Sequence, residues 1–379
     1  MLCMQKRALH DVGGARVCIV CSISVLSCHF DLGLNTFRLY KKSLLAVHVI
    51  ISFVMGSHSA RAAYSCKRLN SSTFLIVHDD KYEEHPYIYV KLYDEPRLAI
   101  VFDTGCGADA AAHDDARTTD LRTFIESSPV ADNDDQPLNP LSMATSSVNR
   151  QREYLVICTH CHYDHIGGIE SFPPEKTYII ASGSDEDFLA RESLDKNSLC
   201  KDVGMRTPSY TISHFTKDQE WLSYNGTPLD LQALHTPGHS PDSLAVYDKN
   251  ENWLFTGDSF YRRSCILPDG KHFNQPIIFP PQGDWTDFMA TLNKLSVFVD
   301  TSDSEGTSEN RDAKKLRIAC SHTTETAPAA ALLLSVKQFF NSVLQGQLVV
   351  RSELHVMARL LQCGRMAKIQ SSAYLHRSD

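Results

Sequence analysis

The sequence predicts an α/β protein: a four-layer αββα sandwich of two mixed β-sheets with helices outside. Three observations point there. Strand-like stretches give way to helix-like stretches, and this succession occurs twice along the chain. Each sheet can then hide one face against the other sheet and its second face under helices. The third observation is that the residue types suited to holding metal fall at predicted strand ends or just beyond, where loops converge between two sheets.

Residues 73–78, 86–92 and 97–103 read as strands, rich in Val, Ile, Tyr and Phe between polar breaks. Thr118 to Glu126 reads as a helix capped by Thr118 or Thr119. Residues 127–150 are dense in Ser, Asp, Asn and Pro, which predicts a mobile insertion rather than a domain. An apolar strand, Tyr154 to Ile157, leads into the densest loop of the chain. Beyond it come a strand at 177–181, a helix near 185–195, and strands near 210–215, 229–235, 243–248 and 252–256. Ser259 to Gly283 reads as a long irregular segment. In 286–299, Phe288, Leu292, Leu295 and Val299 recur at three- and four-residue spacing, the stripe of a helix with one apolar face. Thr301 to Lys315 is a second polar insertion, Leu316 to Ala319 a last core strand, and Pro328 opens a helix through about Leu344.

At 379 residues the chain has length for two domains, although α/β layers of about 250 residues commonly form one. We expect an N-terminal extension at 1–60, disordered or weakly helical, one main domain at 61–345 and a C-terminal extension at 346–379. The net charge of −8, with no basic stripe carrying interleaved aromatics, argues against a nucleic-acid partner. Twelve cysteines in no repeating framework suit the reducing cytoplasm. The apolar run Leu44 to Met55 is too short for a bilayer span, which needs about 20 residues, so no firm membrane association is expected. It leaves targeting open, and Met55 offers an alternative start.

The chemistry sits in Thr159-His160-Cys161-His162-Tyr163-Asp164-His165-Ile166-Gly167-Gly168, with three imidazoles and a carboxylate in six residues. Imidazole suits zinc and other borderline divalent ions, and a carboxylate adds charge that a second ion can share. If the backbone stays extended through His160 and His162, their rings point to one side and can grip one metal. Asp164 and His165 follow after the turn begins and face a second position. Gly167 and Gly168 then relieve backbone crowding as the chain turns into a helix. The bland alternative, a polar loop of unliganded histidines, fits poorly, because nowhere else among the 17 histidines are three this close.

Four further segments complete a pattern in fixed order: Val101-Phe102-Asp103-Thr104-Gly105, Leu234-His235-Thr236-Pro237-Gly238-His239-Ser240, Leu254-Phe255-Thr256-Gly257-Asp258-Ser259 and Cys320-Ser321-His322-Thr323. Together with the histidine run, over roughly 73–345, they resemble the metallo-β-lactamase superfamily in its glyoxalase-II-like branch. The resemblance implies two divalent metal ions, with zinc favoured over iron or manganese. It implies that His160, His162 and His239 hold the first, that Asp164, His165 and His322 hold the second, and that Asp258 bridges them. Asp103 matches the aspartate that props the ligand loop without touching metal.

Two divalent cations against the carboxylates of Asp164 and Asp258 leave a strongly positive pocket, in which bound water loses a proton near pH 7. A bridging hydroxide attacking a carbonyl makes hydrolysis of an ester, thioester, lactone or amide the default, and Asp164 the residue named as catalytic. The substrate is then a small molecule, with a thioester favoured. Tyr261-Arg262-Arg263 and Lys271-His272 can meet an anionic thioester, although exposed basic residues are usually just solvated. Competing readings are a mononuclear iron oxidoreductase of the persulfide-dioxygenase type and a non-catalytic binding protein on the same scaffold. Asp103-Thr104-Gly105 lacks the second D-T-G or D-S-G that an aspartic protease requires. Cys158 and Cys161 form a C-x-x-C that reads as packing, and His235 reads as structural because Thr236-Pro237-Gly238 precludes a helix. Cys106 and Asp109 can lie near the metal mouth, but a plain surface loop is the favoured reading. Cys18, Cys21, Cys28 and His29 match no zinc finger spacing.

Overall fold

Every residue from Leu98 to Phe102 is buried, the mark of a strand covered on both faces. Its alternate side chains serve different cores. Leu98, Ile100 and Phe102 join an apolar cluster with residues from the second half of the chain, whereas Ala99 and Val101 pack with helical residues. The computed structural model describes residues 62–113, 118–141, 151–261, 263–266, 272–275, 279–305 and 315–345, all in one unit.

The first sheet runs β1 (Tyr64–Arg68), β2 (Thr73–His78), β3 (Tyr87–Tyr93), β4 (Leu98–Phe102), β5 (Glu153–Ile157), β6 (Thr177–Ser182) and β7 (His214–Thr216), adjacent in that order. Strands β1 to β4 are antiparallel and β4 to β7 parallel. Helices α1 (Leu121–Ser127), α2 (Tyr163–Ile166), α3 (Glu186–Leu189) and α4 (Arg191–Asn197) lie in the connections. The second half supplies β8 (Trp221–Tyr224), β9 (Thr227–His235), β10 (Leu244–Asp248), β11 (Trp253–Phe255), β12 (Arg263–Ile266), β13 (His272–Gln275), α5 (Trp285–Glu305), β14 (Arg317–Ala319), β15 (Ala327–Pro328) and α6 (Ala329–Leu344). Its main sheet has the order β15-β14-β11-β10-β9-β8, with only β11 and β14 parallel, and β12 pairs with β13 alone.

Three apolar clusters define four layers. The central one joins Leu75, Tyr89, Leu155 and Ile180 of the first sheet to Leu231, Ala233, Val246 and Phe255 of the second. Phe102 and Phe255 stack across the gap with ring centroids 4.2 Å apart. A second cluster covers the outer face of the first sheet with Leu121, Phe124, Ile166 and Leu194, and a third packs Phe288, Leu292, Leu295 and Val299 of α5 with Leu332 and Val336 of α6. Each such side chain fully buried is worth about 1.5–3 kcal/mol, so the layering rests on many comparable contributions. This is the αββα sandwich that the sequence predicts.

Several local expectations shift. Helix α1 starts at Leu121, because the Asp120 carboxylate accepts from the Thr123 N–H at 2.7 Å and caps better than Thr118 or Thr119. The helix expected near 185–195 breaks at Ala190, whose ψ of 146° is not helical, into α3 and α4. The strand near 210–215 is confined to His214–Thr216. Part of the first insertion is tied down: Asn139 is buried and exchanges two hydrogen bonds with the Arg152 backbone, at 2.8 and 3.1 Å. Helix α5 continues to Glu305, inside the expected second insertion. Residues 142–150, 306–314, the extensions at 1–60 and 346–379, and the apolar run 44–55 lie outside the described residues. Among those described, no helix is long and apolar enough to cross a membrane.

One polar contact pins the two sheets. Lys91 of β3 reaches Asp248 of β10 at 2.6 Å with both side chains almost fully buried, and the same ammonium donates to Ser72 Oγ at 3.0 Å. Removing one charge strands the other in an apolar layer, which costs about 3–5 kcal/mol. Lys91→Met should therefore lower unfolding free energy by that amount in urea titrations, and a loss under 1 kcal/mol would contradict the pin.

Candidate metal centre

Five strands end at one rim of the sandwich. Asp103 follows β4, the histidine run follows β5, His239 follows β9, Asp258 follows β11 and His322 follows β14. Both sheets thus contribute side chains to one place. Chain reversal is tight: Asp103 itself adopts φ 63°, a left-handed conformation unusual for a residue with a side chain.

The Asp103 carboxylate is the hub. Its Oδ1 accepts from the Thr159 backbone N–H at 2.7 Å, and its Oδ2 accepts from Thr159 Oγ1 at 2.7 Å, His165 Nδ1 at 2.9 Å and Ser321 Oγ at 3.2 Å. Accepting from Nδ1–H leaves His165 Nε2 as the lone-pair nitrogen facing inward. Helix α2 carries Asp164 and His165 on its single turn, with Gly167 as its C-terminal cap. The two glycines follow that helix rather than introduce it, and their reason is proximity. A Cβ on Gly167 would stand 2.4 Å from the Cys106 carbonyl oxygen, and one on Gly168 2.3 Å from that of Thr104. Gly238 is likewise required, since a Cβ there would meet the Phe288 backbone at 2.5 Å.

Seven buried side chains gather into two groups, His160 with His162 and His239, and Asp164 with His165, Asp258 and His322, the ligand atoms of each lying within 4.8 Å of one another. In the first, His162 Nδ1 is 2.9 Å from His160 Nε2 and 3.1 Å from His239 Nε2. In the second, Asp164 Oδ2 lies 3.2 Å from His165 Nε2 and 3.0 Å from His322 Nε2, while Asp258 Oδ1 lies 3.4 and 3.5 Å from the same nitrogens. Asp258 turns its other oxygen toward His239 Nε2, at 3.7 Å, and so faces both groups.

These spacings fit metal. Donors on a tetrahedral ion at about 2.0–2.1 Å sit roughly 3.3 Å apart. His165 Nε2 and Asp258 Oδ1 are buried without a hydrogen bond, atoms that a bound cation would satisfy. The two groups differ in charge. Burial, then neighbouring imidazoles, pushes His160 well below the usual histidine range and His162 down to about 3, so these rings are neutral. Burial opposes charge on His165 and His322 too, but Asp164 and Asp258 outweigh it, raising His165 well above its ordinary value and His322 to about 9.

The family model for the metallo-beta-lactamase superfamily matches residues 87–300. The chain belongs to that superfamily. Among its relatives, avaE of Aspergillus versicolor, named as a candidate transcription factor, is 33% identical over 299 residues, covering 78% of this chain and 80% of that protein. An acyl-coenzyme A thioesterase of Homo sapiens is 26% identical over 162 residues, 40% of this chain and 53% of its own. A probable hydroxyacylglutathione hydrolase of Schizosaccharomyces pombe is 29% identical over 113 residues, 29% of this chain and 34% of its own. The chain thus spans about half and about a third of these two enzymes. The hydroxyacylglutathione hydrolase match accords with the glyoxalase-II-like motifs.

Other sequence expectations sort as follows. Cys158 and Cys161 are buried in the first sheet's outer core, and His235 sits apart from both groups with Nε2 2.8 Å from the Thr216 carbonyl oxygen. Cys106 is no surface residue: it is fully buried beside Tyr163 and Cys200, its N–H donating to His78 Nδ1 at 3.3 Å, whereas Asp109 is exposed. The side chains of Arg262, Arg263, Lys271 and His272 lie outside the described residues. Sequence reasoning missed Glu84 and Tyr163 and took Tyr261 only for a flank of basic residues. Tyr261 donates to Asp258 Oδ2 at 2.6 Å, and Tyr163 to Glu84 Oε1 at 2.5 Å. The position of Tyr261 three residues after Asp258 is the one available signal.

Replacing Asp103 with alanine leaves Thr159, His165 and Ser321 with buried unpaired groups, each costing about 1–3 kcal/mol. Asp103→Ala should thus lower stability by at least about 3 kcal/mol in chemical denaturation of metal-stripped protein. A near-neutral change would remove Asp103 from its place as hub.

Proposed function

We propose that the protein is a metal-dependent hydrolase of a small-molecule acyl compound, with a thioester as the favoured substrate class. The observation that carries this reading is the convergence of seven buried donors, from both sheets, into two groups with metal-like spacing. In it, His160, His162 and His239 hold one divalent ion, Asp164, His165 and His322 hold another, and Asp258 spans both. Zinc suits the donor set best, since imidazole dominates it. When bound, the ions supply Lewis acidity that polarises an acyl carbonyl and lowers the pKa of water.

The chain's own residues do the rest. Asp103 fixes His165 with Nε2 inward and anchors Thr159, so the ligand loop is set before any ion arrives. Tyr261 holds the Asp258 carboxylate through a 2.6 Å hydrogen bond, which keeps its orientation between the two groups. No serine or cysteine nucleophile is called for. The thioester preference draws on the glyoxalase-II-like motifs and on the relative named as an acyl-coenzyme A thioesterase, and it is separable from the hydrolase reading.

A second reading has one observation behind it, the 33% identity to a relative named as a candidate transcription factor. A regulator with no chemistry would tolerate loss of donors, yet all seven stand here. The persulfide-dioxygenase alternative differs in metal, and stoichiometric iron with oxygen consumption would favour it instead.

The deciding experiment is a hydrolysis screen of zinc-loaded protein against acyl-CoA, glutathione thioester, lactone and β-lactam panels. Turnover of a thioester is expected, abolished by a chelator and restored by a divalent ion. A two-ion protein inert toward every panel would overturn the hydrolase. Asp164→Ala should reduce turnover by more than about 100-fold, beyond what losing a mere support of a ligand costs. Metal loading also has a predicted proton signature. His322, raised to about 9, and the raised His165 carry protons at pH 7 that an ion must displace, whereas His160 and His162 carry none. Calorimetric titration in buffers of different ionisation enthalpy should show proton release as the second group fills, growing as pH falls from 9 toward 7.

A further inference from the structure

The loop between β2 and β3 does more than connect strands. Asp80, buried at its start, spends its carboxylate on the loop's own backbone: Oδ1 accepts from the N–H of Tyr82 at 2.8 Å and of Glu84 at 3.4 Å, and Oδ2 from that of His85 at 2.7 Å. Glu83 and His85 are held at φ 63° and 49°, conformations that side chains ordinarily avoid. The loop is closed by His78 N–H on the Pro86 carbonyl at 3.3 Å. A carboxylate buried to hold an unfavourable turn implies that the turn's shape is used.

Its use lies at the second donor group. The Glu84 carbonyl oxygen accepts from His322 Nδ1 at 2.9 Å, and the Glu84 carboxyl accepts from the Tyr163 hydroxyl, next in the chain to Asp164. Immediately beyond the loop, Tyr87 N–H donates to the Ser321 carbonyl at 2.7 Å, and Tyr89 OH to that of Cys320 at 2.7 Å. Residues 320–322 are thereby gripped by the loop and the strand it leads into. His322 needs this more than the other histidine of its group. His165 has the Asp103 carboxylate to set its ring, whereas His322 follows a three-residue strand and has a main-chain oxygen, whose direction depends on the loop.

We propose that Asp80 is a positioning residue for the second metal, acting through the Glu84 carbonyl oxygen to hold His322 with its proton on Nδ1 and Nε2 toward the ion. The inference rests on the two-ion reading above. It divides Glu84 in two: the main-chain oxygen serves His322, and the side chain serves Tyr163. Asp80→Asn keeps the size of the side chain but replaces one acceptor with a donor facing the loop's N–H groups. It should weaken the second ion roughly 10- to 100-fold, the usual effect of losing a ligand's support, and leave the first ion's affinity unchanged. Glu84→Gln, which retains the main-chain oxygen, should weaken the second ion by less than Asp80→Asn does and leave the first ion's affinity unchanged.

The test is competitive titration of metal-stripped wild type, Asp80→Asn and Glu84→Gln with zinc, together with nitrogen-15 spectra of the loaded wild type. The His322 ring proton, assigned by its loss in His322→Asn, should sit on Nδ1. A folded Asp80→Asn that binds both ions like wild type, or loses both equally, overturns the proposal. So does a His322 proton on Nε2, or a Glu84→Gln that loses the second ion. If Asp80→Asn fails to fold, the wild-type ring proton and Glu84→Gln decide. Wild type that binds fewer than two ions overturns the two-ion reading and this one together, whereas failure of the variants alone overturns only the role of Asp80.

Discussion

The structure depends on how one carboxylate distributes its hydrogen bonds. Asp103 ends a fully buried strand of the first sheet, takes hold of the loop after the neighbouring strand through Thr159 and His165, and reaches Ser321 beyond the second sheet's β14. Three chain segments are brought into register by a single residue with nowhere to move. Its left-handed backbone is the cost of aiming the side chain inward, and four hydrogen bonds at that point outweigh a strain of about 1–3 kcal/mol.

The site follows from the layers. Two sheets stacked through Leu, Val and Phe side chains bring strand ends of both within reach at one rim, so donors far apart in sequence can share an ion. His160 and His322 are 162 positions apart in the chain, yet both stand beside His165, with ring centroids 4.0 and 5.6 Å from it. The two groups they belong to differ in kind. In the first, burial keeps His160 and His162 neutral, and the second balances carboxylates against imidazoles that burial alone would have kept uncharged. Proximity to the acids decides that balance.

What was legible in the sequence was what chemistry concentrates or periodicity repeats. Three histidines in six residues and the stripe of Phe288, Leu292, Leu295 and Val299 are local signals, and the structure buries every one of them, the histidines in the two donor groups and the stripe in an outer core. Two of the edge strands were not legible. β1 reads Tyr-Ser-Cys-Lys-Arg and β8 reads Trp-Leu-Ser-Tyr, mostly exposed, and each exists because of one neighbour rather than any apolar pattern of its own. Glu84 was invisible for a similar reason: what it offers His322 is a main-chain oxygen, which every residue has, placed by a turn that no composition announces. The Cys106 loop was misjudged because burial there comes from Tyr163 and Cys200, distant in sequence.

The hairpin of β12 and β13 belongs to neither large sheet. It departs from the rim just after Asp258 and returns before α5, while the Asp103 hub and the Lys91–Asp248 pin both lie in the body it leaves behind. Among the described residues, the bonds that set the donors come from Asp103, Thr159, Tyr261 and Ser321, outside its two strands. The fold thus carries two inheritances side by side, a frame bonded around the donors and a hairpin whose strands pair with each other alone.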